Sequence, residues 1–235
     1  MFRKRKFSAV ILAGGTSSRM NGVSKQQLSV CGIPVAVRSM LAFENCVECE
    51  EIVVVSRADE CPVYEQWAKD YGIGKFKKAV PGGATRQESA FIGSKEIDKN
   101  ADYIAFHDAA RCLVGTDDIS RVFAEARKNR CAAACAPVSD TIKIAESDKK
   151  TSVKNILDRS RLYAMQTPQI FLTDLYLAAA YHAKETGFTG TDDCSLAEHA
   201  GFGCKLVECS RTNFKITYPE DIPTAEAIVR FRETK

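Results

Sequence analysis

The sequence predicts an α/β fold: a Rossmann-like, mostly parallel twisted sheet with helices on both faces and a projecting β-hairpin arm. Three observations lead there. Short apolar runs recur without polar alternation, as expected of strands buried on both faces. Segments of helical period, about 12 residues long, separate them and make βαβ units. Between 139 and 170 that rhythm gives way to an alternating, hairpin-like pattern.

The elements follow in order. S-A-V-I-L-A at 8–13 reads as a fully buried strand. A helix over 34–46 opens on a proline, which suits a first helical position, and turns Val35, Val37, Met40, Leu41 and Phe43 inward. E-I-V-V-V-S at 51–56 is a second strand, and 63–71 a short helix closed by Gly72. A third strand over 75–80 ends in P-G-G, a helix follows over 85–97, and D-Y-I-A-F-H-D at 102–108 is the fourth strand. A helix over 117–129 and a strand over 132–138 complete the regular part. T-I-K-I-A-E and S-V-K-N-I-L flank the charged turn S-D-K-K-T and make the arm. Two strands in solvent are marginal, so the arm is expected to pack on a second copy of the chain. Helices over 173–186 and around 196–200, strands over 204–209 and 214–217, and a helix over 220–231 close the sequence.

Composition narrows the function classes. With 235 residues, 45% of them hydrophobic and 27% charged, the chain has enough apolar content for one large domain over 1–235. The net charge of +3 arises in the opening MFRKRK; the remainder is close to neutral, which argues against a nucleic-acid binder with a broad basic face. No apolar run approaches the roughly 20 residues of a membrane span. The basic start leads into an apolar run that ends in glycines, unlike a secretory leader, so a cytoplasmic location is expected. The ten cysteines then read as reduced, buried or partly buried thiols. Cys46-x2-Cys49 and Cys131-x3-Cys135 have ligand-like spacing, but no nearby His completes a zinc set.

In open α/β sheets ligands collect at the carboxyl ends of the strands, and the chemistry-bearing motifs fall there. Leu12 to Gln27 runs from a buried strand into Gly14-Gly15, whose backbone N–H groups can cradle phosphates. It matches neither the P-loop nor the dinucleotide fingerprint. Arg19 and Lys25 add two cations, as a triphosphate needs when charge grows on the transferring phosphoryl and its leaving group. A bland glycine turn with two surface cations is the competing reading. P-G-G-A-T-R-Q-E-S, from Pro81 to Ser89, can lie flat against a nucleobase; in isolation a plain strand–helix turn with Thr85 as N-cap is the favoured reading. In H-D-A-A-R, Asp108 ends a central strand, where a carboxylate beside phosphates holds Mg2+. Arg111 can fork a second phosphate, and His107 reads as an orienting residue in preference to a base. His182 and His199 fall on helices and read as structural. Asp158-Arg159, the Gln166 to Gln169 run, and Thr191-Asp192-Asp193 form a late polar group, together with Lys215, a cation inside an otherwise apolar strand.

Taken together, these motifs resemble the 2-C-methyl-D-erythritol 4-phosphate cytidylyltransferase family of the non-mevalonate isoprenoid pathway. The resemblance spans nearly the whole chain and rests on the order of the glycine loop with Arg19, Met20 and Lys25-Gln26, then H-D-A-A-R, T-P-Q, T-D-D and the lysine strand ending in P-E-D. It implies that the substrate's 4-phosphate attacks the α-phosphorus of CTP in line and pyrophosphate leaves. Ala13, Gly14, Gly15, Gly83 and Ser89 would hold the nucleotide, and Asp108 would bind Mg2+. Arg19, Lys25 and Lys215 would carry catalysis by stabilising the reacting phosphates. Arg111, Thr141, Arg159 and Thr167 would grip the sugar phosphate, with Thr141 and Arg159 serving the neighbouring subunit's pocket in a homodimer of interlocked arms. The sequence departs from the family's usual pattern at Ser24 and Cys112, where proline is common, and at Ala84, where a small polar or acidic residue is common.

The alternative is a ribitol-5-phosphate cytidylyltransferase, which shares the fold and CTP but tends to read H-D-S-V-R and T-D-A at the corresponding motifs. Other sugar-phosphate nucleotidyltransferases share the glycine loop alone. A regulatory nucleotide-binding module would be expected to lack Lys25, Asp108 or Lys215, and all three are present.

Overall fold

The computed structural model describes residues 5–15, 24–146 and 152–234. In chain order its first elements are β1 (Phe7–Leu12), the two-residue strands β2 (Ser29–Val30) and β3 (Ile33–Pro34), α1 (Val35–Glu44), β4 (Cys49–Ser56), α2 (Cys61–Asp70) and β5 (Phe76–Pro81). Next come α3 (Arg86–Glu96), β6 (Tyr103–Asp108), α4 (Thr116–Asn129), β7 (Cys131–Pro137), β8 (Lys143–Ala145) and β9 (Val153–Ile156). The chain closes with β10 (Tyr163–Leu172), α5 (Thr173–Thr186), α6 (Asp193–His199), β11 (Lys205–Glu208) and α7 (Asp221–Glu233).

Seven strands form one sheet in the order β11-β7-β10-β6-β1-β4-β5. The pairs β1–β4, β1–β6, β4–β5 and β11–β7 are parallel, while β10 lies antiparallel between β6 and β7. Strand alternation sends Phe7, Ala9 and Ile11 of β1 to one face and Val10 and Leu12 to the other. The first face packs against α1, α2 and α4 through residues such as Met40, Phe43, Tyr64 and Phe123. The second packs against α3, α5 and α6 through Ala90, Tyr176, Ala179 and Leu196. A strand covered on both sides must be apolar at every position, so periodicity vanishes from its sequence. Among the described residues no helix is long and apolar enough to cross a membrane.

Helix ends follow elementary rules. Thr85 caps α3 with a reciprocal capping box to Glu88. In α4, Asp117 and Asp118 lie in the first turn and Arg127 and Lys128 in the last, matching the helix dipole. Gly187 takes the left-handed conformation (φ 68°) that ends α5.

Two expectations need correcting. The strand expected over 214–217 is absent: the segment makes one backbone bond to the loop after β6, from Ile216 N to Ala110 O at 2.9 Å, and never joins a ladder. The 139–170 stretch, expected to hold the arm, also holds most of the ten-residue β10, an interior strand of the main sheet. Pro168 has no N–H for the ladder, and the β10–β7 register shifts between Met165 and Gln169 to pass it. The arm itself is the β8–β9 pair, with Ile144, Val153 and Ile156 exposed at 40%, 54% and 56%. Its turn, 147–151, lies outside the described residues.

Candidate active site

The carboxyl ends of β1 and β6 flank a cavity of about 290 Å³. Ala13, just past β1, is held by a hydrogen bond from its N to Val55 O at 2.7 Å, which leads Gly14 and Gly15 to the cavity wall. Gly83 and Ser89 form the facing wall with Thr85 and Arg86. Gly83 N donates to Ser89 Oγ at 3.1 Å, and Ser89 Oγ donates to Thr85 O at 2.9 Å. Only glycine fits at the base of this turn: a Cβ on Gly83 would lie 2.5 Å from Glu88 Cβ, and one on Gly82 would lie 2.7 Å from Ser89 Oγ. Ala84 N donates to Glu88 Oε2 at 2.7 Å, so the capping box also shapes this wall.

Lys25 lines the cavity although only 8% exposed. Lys215 also lines it, with Nζ 2.8 Å from Asp108 Oδ2. Arg86 Nε lies 3.2 Å from Asp108 Oδ1, and its Nη2 reaches Asp193 Oδ2 at 2.8 Å. Burial would raise the Asp108 carboxyl, but the charges of Arg86 and Lys215 and the Lys215 hydrogen bond outweigh it and hold Asp108 well below the usual range. Burial dominates at Asp193, whose carboxyl is raised despite Arg86. Burial would likewise lower Arg86, yet the two carboxylates keep it firmly charged. Among the described lining residues three cations, Lys25, Arg86 and Lys215, meet one carboxylate, Asp108. Such a cavity selects an anion.

Behind Asp108 stands a fixed polar relay. Asp108 N donates to Thr167 Oγ1 at 3.0 Å, so the Thr167 hydroxyl proton is free to point at His107 Nδ1, also at 3.0 Å. His107 Nε2–H then donates to Arg111 O at 3.3 Å. Burial pushes the fully buried His107 down to about 3, so it stays neutral and orients Thr167, in line with the sequence expectation. Arg111 and Thr167, expected to grip the sugar phosphate, do not line the cavity. The Arg111 guanidinium donates to Asn213 O at 2.9 Å and Met165 O at 3.1 Å. It thereby ties β10 to the segment carrying Lys215.

Thr141 and Arg159 are exposed on either side of the arm and do not line this cavity; Arg159 donates to Ser139 O at 2.7 Å. Arg19 lies outside the described residues. Ser24 donates to Gln26 Oε1 at 3.3 Å, and Cys112 is buried beneath α7 beside Leu113 and Ile216. The sequence reading missed Arg86, which bridges Asp108 and Asp193. A signal was present: an arginine in the first turn of a helix opposes the dipole and implies a nearby carboxylate. It also missed why T-P-Q and T-D-D belong together. Gln169 Oε1 accepts from Asp193 N and Cys194 N at 3.0 Å each, and Gln169 Nε2 donates to Asp192 Oδ2 at 2.7 Å. This clamp sets the start of α6 and aims Asp193 at Arg86.

Comparison with known proteins decides the family. The family model for IspD, 2-C-methyl-D-erythritol 4-phosphate cytidylyltransferase, matches residues 7–231. The chain belongs to this family. A 2-C-methyl-D-erythritol 4-phosphate cytidylyltransferase of Shouchella clausii is 38% identical over 98% of this chain and 99% of its own length. That of Caldanaerobacter subterraneus subsp. tengcongensis is 41% identical over 95% of this chain and 98% of its own. The 4-diphosphocytidyl-2C-methyl-D-erythritol synthase of Anaerococcus prevotii superposes with a TM-score of 0.85 at 28% identity, covering 96% of each chain. Membership in the cytidylyltransferase family thus favours the main reading over the ribitol-5-phosphate alternative.

Proposed function

We propose that this chain transfers the cytidylyl group of CTP to 2-C-methyl-D-erythritol 4-phosphate, giving 4-diphosphocytidyl-2-C-methyl-D-erythritol and pyrophosphate. The observation that carries the reading is the cavity whose described lining sets three cations and one ionised carboxylate between two glycine turns. A substrate phosphate oxygen bonds to the α-phosphorus of CTP while the bond to the β-phosphate bridging oxygen breaks and pyrophosphate departs. The attacking phosphate is already ionised, so no side chain need remove a proton. That agrees with a neutral His107 turned away from the cavity.

The roles follow from position. The N–H groups of Gly14 and Gly15 meet the phosphates, and Ala13 fixes their approach. Lys25, with Arg19 from the same loop, neutralises charge on the α-phosphate and the leaving pyrophosphate. Lys215 bridges the two reacting phosphates. The Gly83 turn and Ser89 receive cytosine. Asp108 fits Mg2+ as a single ionised carboxylate facing the cavity; among the described residues no three-ligand group forms there, and Mg2+ takes its other ligands readily from phosphates and water. The ion would add charge neutralisation on the triphosphate. Arg111 and Thr167 act by holding Asp108 and the Lys215 segment in place.

The wider organisation is read the same way: one nucleotidyltransferase domain over 1–235, working in the cytoplasm as a homodimer. The exposed apolar arm supports the dimer, because two isolated strands with Ile144, Val153 and Ile156 in water lack a hydrophobic partner. Thr141 and Arg159 would then complete the neighbouring subunit's sugar-phosphate site. Val153→Glu combined with Ile156→Glu is expected to convert a dimer into a folded monomer in sedimentation analysis. It should also raise KM for the sugar phosphate more than KM for CTP. Retention of the dimer would place the interface elsewhere.

The function is tested with a nucleotide panel. Pyrophosphate release with Mg2+ and methylerythritol phosphate should occur with CTP and fall at least about 100-fold with UTP, because a site built to hydrogen-bond one base edge leaves its groups unpaired against another. Equal turnover with both would refute cytosine reading by the Gly83 turn.

A further inference from the structure

Away from the CTP cavity, three cysteines from separate elements converge on one face of the sheet. Cys131 opens β7, Cys194 lies in the first turn of α6, and Cys204 immediately precedes β11. Their sulfurs all lie within 4.8 Å of one another, and Cys194 Sγ is 3.0 Å from Cys204 Sγ. None of the three lines the cavity. We propose that Cys131, Cys194 and Cys204 form a three-thiolate site for a soft d10 cation such as Zn2+ or Cu+.

The geometry is close to what such an ion needs. Zinc–sulfur bonds of about 2.3 Å place tetrahedral sulfurs roughly 3.8 Å apart, so shifts of under about 1 Å bring all three onto one ion. The donor set is entirely sulfur: among the described residues no imidazole or carboxylate joins the group. Soft thiolates select copper(I) and zinc over magnesium or calcium. Cys131 and Cys194 are 0% and 2% exposed, whereas Cys204 is half-buried. Entry and a fourth, exchangeable ligand would therefore lie on the Cys204 side. On binding, each thiol gives its proton to solvent and its sulfur forms one metal bond.

Simple packing of small thiols explains one or two buried cysteines, and Cys49 and Cys135 are adequately read that way. It does not explain why three strand and helix termini bring their sulfurs to one point. Nor are the backbones loose, since Cys194 N is fixed by Gln169 Oε1 at 3.0 Å. Ligands held by a rigid second layer are what a metal site requires. Cys131-x3-Cys135, set aside in the sequence for want of a histidine, is not the pairing that forms: a spacing of four sends both side chains to one strand face, but the neighbours of Cys131 come from α6 and from the residue before β11.

The test uses the reduced, full-length protein, stripped of metal and titrated separately with Cd2+, Zn2+ and Cu+. One equivalent per chain is expected, with a thiolate-to-cadmium charge-transfer band of three-sulfur intensity and a rise in Tm on loading. Cys204→Ser, at the most accessible of the three positions, should weaken binding more than about 100-fold, beyond what loss of a supporting partner alone costs. Cys209→Ser, outside the trio, should leave it unchanged. Absence of the band in the parent protein, or equal binding by Cys204→Ser, overturns the site. So does a chain that takes up no metal but closes a Cys194–Cys204 disulfide when treated with glutathione disulfide, its two thiol hydrogens and two electrons passing to two molecules of glutathione. The relative affinities of the zinc and copper(I) arms decide which ion the site takes.

Discussion

Lys25→Ala is expected to lower kcat about 100- to 1,000-fold while KM for CTP moves far less. Lys25 is 8% exposed and lines the cavity together with Gly14, Gly15 and Lys215. Water screens it little there, so its interaction with phosphate charge is much stronger than at the surface. The triphosphate is already charged in the ground state. The transition state, however, concentrates charge on the leaving pyrophosphate, and only an interaction that strengthens at that point raises kcat. Steady-state kinetics on the variant, with its urea midpoint as a folding control, checks this. A large rise in KM at unchanged kcat would mean that Lys25 merely binds CTP.

The second large effect concerns stability. Arg86→Ala should destabilise the fold by about 3 kcal/mol near pH 7, because it strips the positive partner from a carboxylate only 1% exposed, Asp193. Asp108 keeps Lys215 at 2.8 Å and loses less. The pH dependence has a definite sign. Burial already raises Asp193 above the ordinary 3.8, and without Arg86 it rises further. A carboxyl raised in the folded state makes stability fall as pH climbs past its unfolded value, and the loss is regained as pH drops and the group takes a proton. Asp108 adds to the same trend. Held low by Arg86 and Lys215, it stabilises the parent protein above about 3.8 and ceases to do so as pH falls towards its folded value. The gap between parent and variant should therefore be widest near neutrality and narrow steadily below about pH 5. Urea unfolding at several pH values measures it. A gap independent of pH would mean that Arg86 matters for packing and not for charge. Activity should fall in parallel, since Arg86 also positions Asp108.

How much of this was legible in the sequence differs by element, for physical reasons. β1, β4 and β6 are covered on both faces, so their runs of valine, isoleucine, alanine and phenylalanine announce them. Thr85 and Gly187 mark helix ends because capping is local chemistry. β10 was hidden because its middle is Gln166-Thr167-Pro168-Gln169, which reads as turn material. Those groups are buried, yet each finds a distant partner: Gln166 at Ser210, Thr167 at His107 and Asp108, Gln169 at α6. Long-range satisfaction of a polar group leaves no trace in local periodicity. Lys215 stood out as a cation in an apolar run, but its setting was misjudged, because an extended segment becomes a strand only when a ladder partner is present. Arg111 drew attention by its spacing from Asp108. What spacing could not show is that two backbone carbonyls, of Asn213 and Met165, take up its guanidinium.

Family membership and the cation-rich cavity point to one reaction, and substrate choice tests it most sharply. The direct measurement is pyrophosphate release from CTP and Mg2+ with 2-C-methyl-D-erythritol 4-phosphate and with ribitol 5-phosphate, at matched concentrations. Turnover with methylerythritol phosphate, and at least about 100-fold less with ribitol phosphate, is the predicted result. Turnover with ribitol phosphate alone would contradict it.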